Sequence, residues 1–175
     1  MSARNRLLAI AAFTILAIIH PGTVSAQTSG VGGDGFTRLL WVMNGDMVLW
    51  KLDPNLNMVA SKDYGSFPGY DLIGITTAPN NNTYVLWSYH ASASSGNTSI
   101  TLWLVDANLN FITSRNYGPL PLGWIPTGLS AGGSSPNFQV IWSQGGTAMA
   151  VWIVDANLNY VTSASWQQPG TRPRT

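Results

Sequence analysis

W-L-V-D-A-N-L-N at 103–110 decides the fold, because the chain writes it three times: the equivalents are W-K-L-D-P-N-L-N at 50–57 and W-I-V-D-A-N-L-N at 152–159. A Trp and aliphatic residues suit a strand, and Asp and Asn suit the turn after it, since they bond their own backbone and tolerate left-handed geometry. Recurrence near every fifty residues predicts a tandem array of small sheets.

Working outward, R-L-L-W-V-M (38–43) and M-V-L-W-K-L-D (47–53) flank the turn N-G-D and read as a hairpin, followed by N-M-V-A-S-K-D-Y-G (57–65) and D-L-I-G-I-T-T (71–77). The order recurs at 83–90, 99–106, 110–118 and 124–130, and again at 137–144, 149–155 and 159–166. Each unit is thus four short strands, but after Pro169-Gly170 only T-R-P-R-T remains. In 85–89, Val85, Trp87 and Tyr89 point one way and Leu86 the other, and 149–154 is apolar on both faces. A sheet wet on one side would alternate apolar and polar residues, so these middle strands are expected to be covered on both sides.

The V/L-L/I-W strands and the W-x-x-D turns, from Thr37 to Trp166, resemble the Trp-rich β-propeller repeats of the WD-repeat, tectonin and tachylectin kind. The spacing departs from their Trp-Asp pair, and the structural Gly-His dipeptide is missing. The resemblance implies an all-β, partial β-propeller of about three four-stranded antiparallel blades: 37–65 as a first blade lacking its inner strand, then 70–118 and 123–168, with 169–175 as a disordered tail. The rival fold is a compact β-sandwich. Propellers close with about four to eight blades. An incomplete array leaves uncovered faces, so a homo-oligomer is expected, as in small lectins similar to tachylectin fragments.

Arg4 and Arg6, the apolar run Leu7–Ile19, Pro21-Gly22 and Val24-Ser25-Ala26 have the pattern of a signal peptide over 1–26, cleaved after Ala26. The expected location is secreted or periplasmic, with no membrane attachment after cleavage. Residues 27–36, Q-T-S-G-V-G-G-D-G-F, read as a flexible Gly/Ser linker. Beyond residue 26 six Lys and Arg face seven Asp, which leaves no basic stripe for nucleic acid. Cysteine is absent, so stability has to come from packing, and all eight Trp lie beyond residue 26.

Motifs that carry chemistry are few. G-L-S-A-G at 128–132 fits the nucleophile-elbow pattern at Ser130, but G-G-S-S-P-N follows where a helix is needed, and no histidine lies downstream. G-V-G-G-D-G at 30–35 fits a dinucleotide fingerprint without the strand and helix that would make it one. The D-x-N-L-N stretches begin like calcium loops yet lack the glycine and the closing acid, which favours turn chemistry. His90 alone builds no zinc site, no paired carboxylates stand out, and no cofactor is called for.

Trp41, Trp87 and Trp142 share one repeated position and Trp50, Trp103 and Trp152 another, which reads as packing between blades. Tyr70 and Trp124 follow glycines in inter-blade loops, on a rim expected to collect Asn44, Asp46, His90, Asn97 and Gln144. The inserted loop 91–99 lies on that rim, and Asn81 and Asn97 sit in N-x-S/T sequons. Flat rings beside amide and carboxylate groups suit a pyranose, whose face stacks while its hydroxyls seek polar partners. The expected function is a non-enzymatic exported module binding a glycan or an extracellular protein. The alternative is a structural or protein-interaction fragment of a longer propeller.

Overall fold

The computed structural model describes residues 24–89, 98–131 and 135–167. The β-rich segments form three four-stranded antiparallel sheets, each running through the chain in order. The first holds β1 (Val24–Thr28), β2 (Thr37–Met43), β3 (Asp46–Leu52) and β4 (Met58–Ser66). The second holds β5 (Tyr70–Thr77), β6 (Thr83–Tyr89), β7 (Ser99–Val105) and β8 (Phe111–Tyr117). The third holds β9 (Trp124–Ala131), β10 (Phe138–Gln144), β11 (Ala148–Val154) and β12 (Tyr160–Gln167). The innermost strands β1, β5 and β9 adjoin in sequence, and the sheets stack as three blades of a partial propeller.

The two-residue period explains the stacking. From blade 1, Leu40, Met47 and Leu49 meet Val85, Trp87, Trp103 and Val105 of blade 2. The alternate residues of blade 2, Tyr84, Leu86, Ile100 and Leu102, meet Phe138, Val140, Trp142 and Val154 of blade 3. Blade 2 is therefore buried on both faces, as its unbroken apolar strands require. A sandwich of two sheets is not what forms. The outer strands β4 and β8 are largely exposed and carry Lys62, Asp63 and Arg115, charges that discourage pairing at an edge.

The first blade corrects the expectation that it lacks an inner strand. β1 pairs with β2 from Val24↔Met43 to Thr28↔Leu39, and Gln27 Nε2 donates to Ile73 O of β5 at 3.0 Å. V-S-A-Q-T has the small residues of a cleavage site and the extended preference of a short strand, so one reading hid the other. Scission after Ala26 would divide this strand. The tail at 169–175 lies outside the described residues.

Residues 27–36 are likewise not a flexible linker. Asp34 Oδ1 and Oδ2 accept from Arg38 Nη1 and Nη2 at 2.8 Å each, and Lys51 Nζ lies 2.9 Å from Oδ2. Arg38 is fully buried, and Asp34 N donates to Asn81 Oδ1 of blade 2 at 2.7 Å. A Cβ on Gly33 would sit 2.4 Å from Pro79 O, so the glycines permit close approach of two backbones rather than a phosphate.

Turn chemistry accounts for the D-x-N-L-N repeats. Asp53 Oδ1 accepts from Asn55 N (2.9 Å) and Asn57 N (2.8 Å), while Oδ2 accepts from Asn57 Nδ2 at 2.9 Å. Asp106 and Asp155 make the same three bonds. The left-handed residue is the leucine: Leu56, Leu109 and Leu158 have φ of 64°, 65° and 66°.

Candidate functional site

Between consecutive blades lies a cleft, built twice from equivalent residues. The first, about 320 Å³, is lined by Trp87 and Trp103 with Phe67 from the β4–β5 connection and Tyr70 at the start of β5, Phe111, and the polar Thr101, Ser114 and Asn116. The second, about 200 Å³, is lined by Trp142 and Trp152 with Trp124, Leu120 and Pro121, and by Ser163 and Ser165. Antiparallel register produces this: Trp103 lies opposite Val85 on β6 and opposite Ser114 on β8, and Trp152 lies opposite Val140 and Ser163.

Aromatic geometry fixes the walls. The Trp87 and Trp103 ring centroids are 5.6 Å apart and tilted, and Phe67 meets Trp103 edge-on at 4.8 Å. Trp142 and Trp152 are 4.7 Å apart, with Tyr117 edge-on to Trp152 at 5.7 Å. The Nε1 donors of Trp41, Trp87 and Trp142 are buried and have no hydrogen-bond acceptor among the described residues. Among the described residues, no charged side chain lines either cleft.

Each blade also grips the turn of the next. Tyr64 OH donates to Leu109 O at 2.7 Å, and Tyr117 OH donates to Leu158 O. Lys51 Nζ reaches Ala107 O at 3.3 Å, as Tyr84 OH reaches Ala156 O at 3.5 Å. Burial pushes the Tyr64 hydroxyl up from its ordinary pKa, with Asp106 adding to the shift; burial and then Asp155 do the same at Tyr84. These phenols stay neutral donors.

The expected rim divides in two. Tyr70 and Asn44 line one cleft of about 570 Å³ with Asp71 and Pro68, and Asn44 holds φ of 55° in the β2–β3 turn. Trp124 and Gln144 pair across β9 and β10, where Gln144 Nε2 donates to Leu122 O at 3.4 Å. Asp46 is exposed at the start of β3, opposite Met43 and Ser66. His90 and Asn97 lie outside the described residues. Ser130 stands in β9, with its Oγ directed to Ala131 O at 3.5 Å. Ser114, Asn116, Ser163 and Ser165 escape a reading by motif; the signal that could find them is the alignment of Ser114 and Ser163 opposite the repeated tryptophans, with Asn116 and Ser165 two residues further along the same strands.

A larger, more open depression of about 590 Å³ lies where β5, β9 and the 28–33 segment converge, lined by Gly30–Gly33, Thr76, Thr77 and Ser130. Thr76 Oγ1 there accepts from Ala131 N at 3.0 Å and ties the inner strands together.

No protein-family model matches the chain, and no curated protein matches it. Among solved structures it is similar to a Bacteroides caccae protein of unknown function, with 12% identity over 80% of this chain and a TM-score of 0.46. The chain spans 46% of that protein.

Proposed function

We propose that this chain is an exported, non-enzymatic binding module that takes a neutral glycan in its inter-blade clefts and works as an assembly of copies. The observation that carries the reading is the repeated cleft, in which tryptophan and tyrosine rings stand beside hydroxyl and amide groups. A pyranose offers what this lining asks for: an apolar face for the rings and hydroxyls for Ser114 and Asn116. The described lining residues are aromatic, hydroxyl and amide groups, which suit a neutral sugar.

A glycan array and a cell-wall pull-down, followed by titration against tryptophan fluorescence, test this. Binding that weakens about tenfold or more in Tyr70→Ala and in Trp124→Ala, and vanishes in the double variant, supports it. No binding by the wild type, or binding unchanged in both variants, overturns it. The exposed apolar surface of blade 3, with Met149 and Trp166 more than half exposed, favours a second reading: a protein-interaction piece without a small-ligand site. That reading expects a silent array.

A further inference from the structure

We propose that a second copy of this chain docks head to tail, the open face of blade 3 in one copy against the open face of blade 1 in the other, so that two copies close a six-bladed ring. The proposal rests on the assembly part of the reading above and not on the ligand.

The repeat itself supplies the interface, because three positions change burial only where a neighbouring blade is lacking. Leu109 and Leu158 are 1% and 0% exposed, yet Leu56 at the same turn position of blade 1 is 74% exposed. Met47 and Ile100 are 1% and 0% exposed, yet their equivalent in blade 3, Met149, is 53% exposed. Tyr64 and Tyr117 grip the next blade's turn through Leu109 O and Leu158 O, and the residue at their position in β12 is Trp166, 58% exposed. Seated as blade 1 seats on blade 2, Trp166 of one copy would reach Leu56 of the other, and its indole N–H would face the Leu56 carbonyl that in the other turns accepts the tyrosine. The orphaned residues are thus complementary halves of a contact the molecule already makes twice.

Backbone strain points the same way. A left-handed leucine is unfavourable, and burial of the side chain offsets that cost at Leu109 and Leu158. Leu56 carries the same φ of 64° and gains no such burial within the single chain. A blade seated on it would restore the balance. Opposite, Met149 and Trp166 border a groove of about 420 Å³ with Val151 and Ala148, wide enough for an aliphatic side chain.

Number and polarity follow from symmetry. Two different surfaces meeting head to tail give a ring when the rotation closes, and an open filament when it does not. Propellers close with about four to eight blades, and among multiples of three only six falls in that range.

Charge placed on each face tests this. Leu56→Asp and Met149→Asp alter side chains that are exposed in the single chain, so each is expected to keep the wild-type circular dichroism. In sedimentation the wild type is expected at twice the mass of one chain and each variant at the mass of one. An equimolar mixture of the two variants restores a species of two chains, since one unaltered pair of faces remains between them. A wild type at the mass of one chain, or at more than two, overturns the proposal. So does a variant that stays paired, which signals a self-pairing surface, or a mixture of folded variants that stays at one. Glycan binding by a single-chain wild type would leave the binding reading standing and remove the assembly; a paired wild type that binds no glycan would do the reverse.

Discussion

Leu109 and Leu158 show how one residue can serve two scales, because a left-handed leucine that would be unfavourable in a free turn becomes the plug between blades. Leu109→Ala is expected to lower stability by about 3 kcal/mol in denaturant titration, the ordinary cost of emptying a buried leucine site. The turn was legible in D-x-N-L-N, but the sequence suggested Asp or Asn for the left-handed position. The asparagines instead serve the carboxylate, and the conformation falls to the residue whose burial offsets it. The Asn57 side-chain amide holds Asp53 below the usual carboxylate range and the Asn159 amide does so for Asp155; at Asp106 partial burial opposes the shift but the Asn110 backbone and side-chain donors prevail. Asp34 is held lowest, through Arg38 first and then Lys51, with burial opposing. Since the folded-state values are depressed, these contributions are whole above the ordinary pKa of about 3.9 and drain away as pH falls below it. The denaturation midpoint is therefore expected to be flat between about pH 5 and 7 and to fall steeply toward pH 3. Asp34→Asn removes the carboxylate from a fully buried Arg38 and is expected to cost about 3 kcal/mol at pH 7 and to flatten the acid limb. None of that cluster was legible, because Asp34 sits in a glycine run that reads as linker.

At the scale of elements, the inner strands are where the blades come closest. A Cβ on Gly74 of β5 would lie 2.9 Å from Leu129 Cβ and 3.1 Å from Leu129 N of β9, whereas one on Gly128 of β9 would meet only Ile141 Cδ1 at 3.7 Å. Gly74→Ala is expected to lower the thermal midpoint by several degrees, reflecting about 1–3 kcal/mol of overpacking, and Gly128→Ala to leave it nearly unchanged. Equal effects from the two would contradict this account of how β5 and β9 pack. Ten of the β-strands announced themselves by Trp and aliphatic runs bounded by turns, β9 by its glycine-led repeat, and β1 by nothing but pairing with β2. Five residues of V-S-A-Q-T carry too little pattern to outweigh the signal-peptide reading of the same letters. The clefts were half legible: repetition identified the tryptophans as packing residues, but it took the register to set Ser114, Asn116, Ser163 and Ser165 beside them.

The whole molecule is an arc with two unlike apolar ends. Blade 2 shows what a finished blade looks like, covered on both faces; blades 1 and 3 each lack one neighbour, and Leu56, Met149 and Trp166 are the residues that register the lack. Ring closure by a second copy would add two further junctions of the kind that form the clefts, because the open faces hold the same register positions. In that assembly Trp41 and Trp50, 5.4 Å apart on the open face of blade 1, would be covered by blade 3 of the other copy. Light scattering on the unaltered chain tests the central claim most directly: the account predicts a single species at twice the mass of one chain, and a single species at the mass of one chain would contradict it.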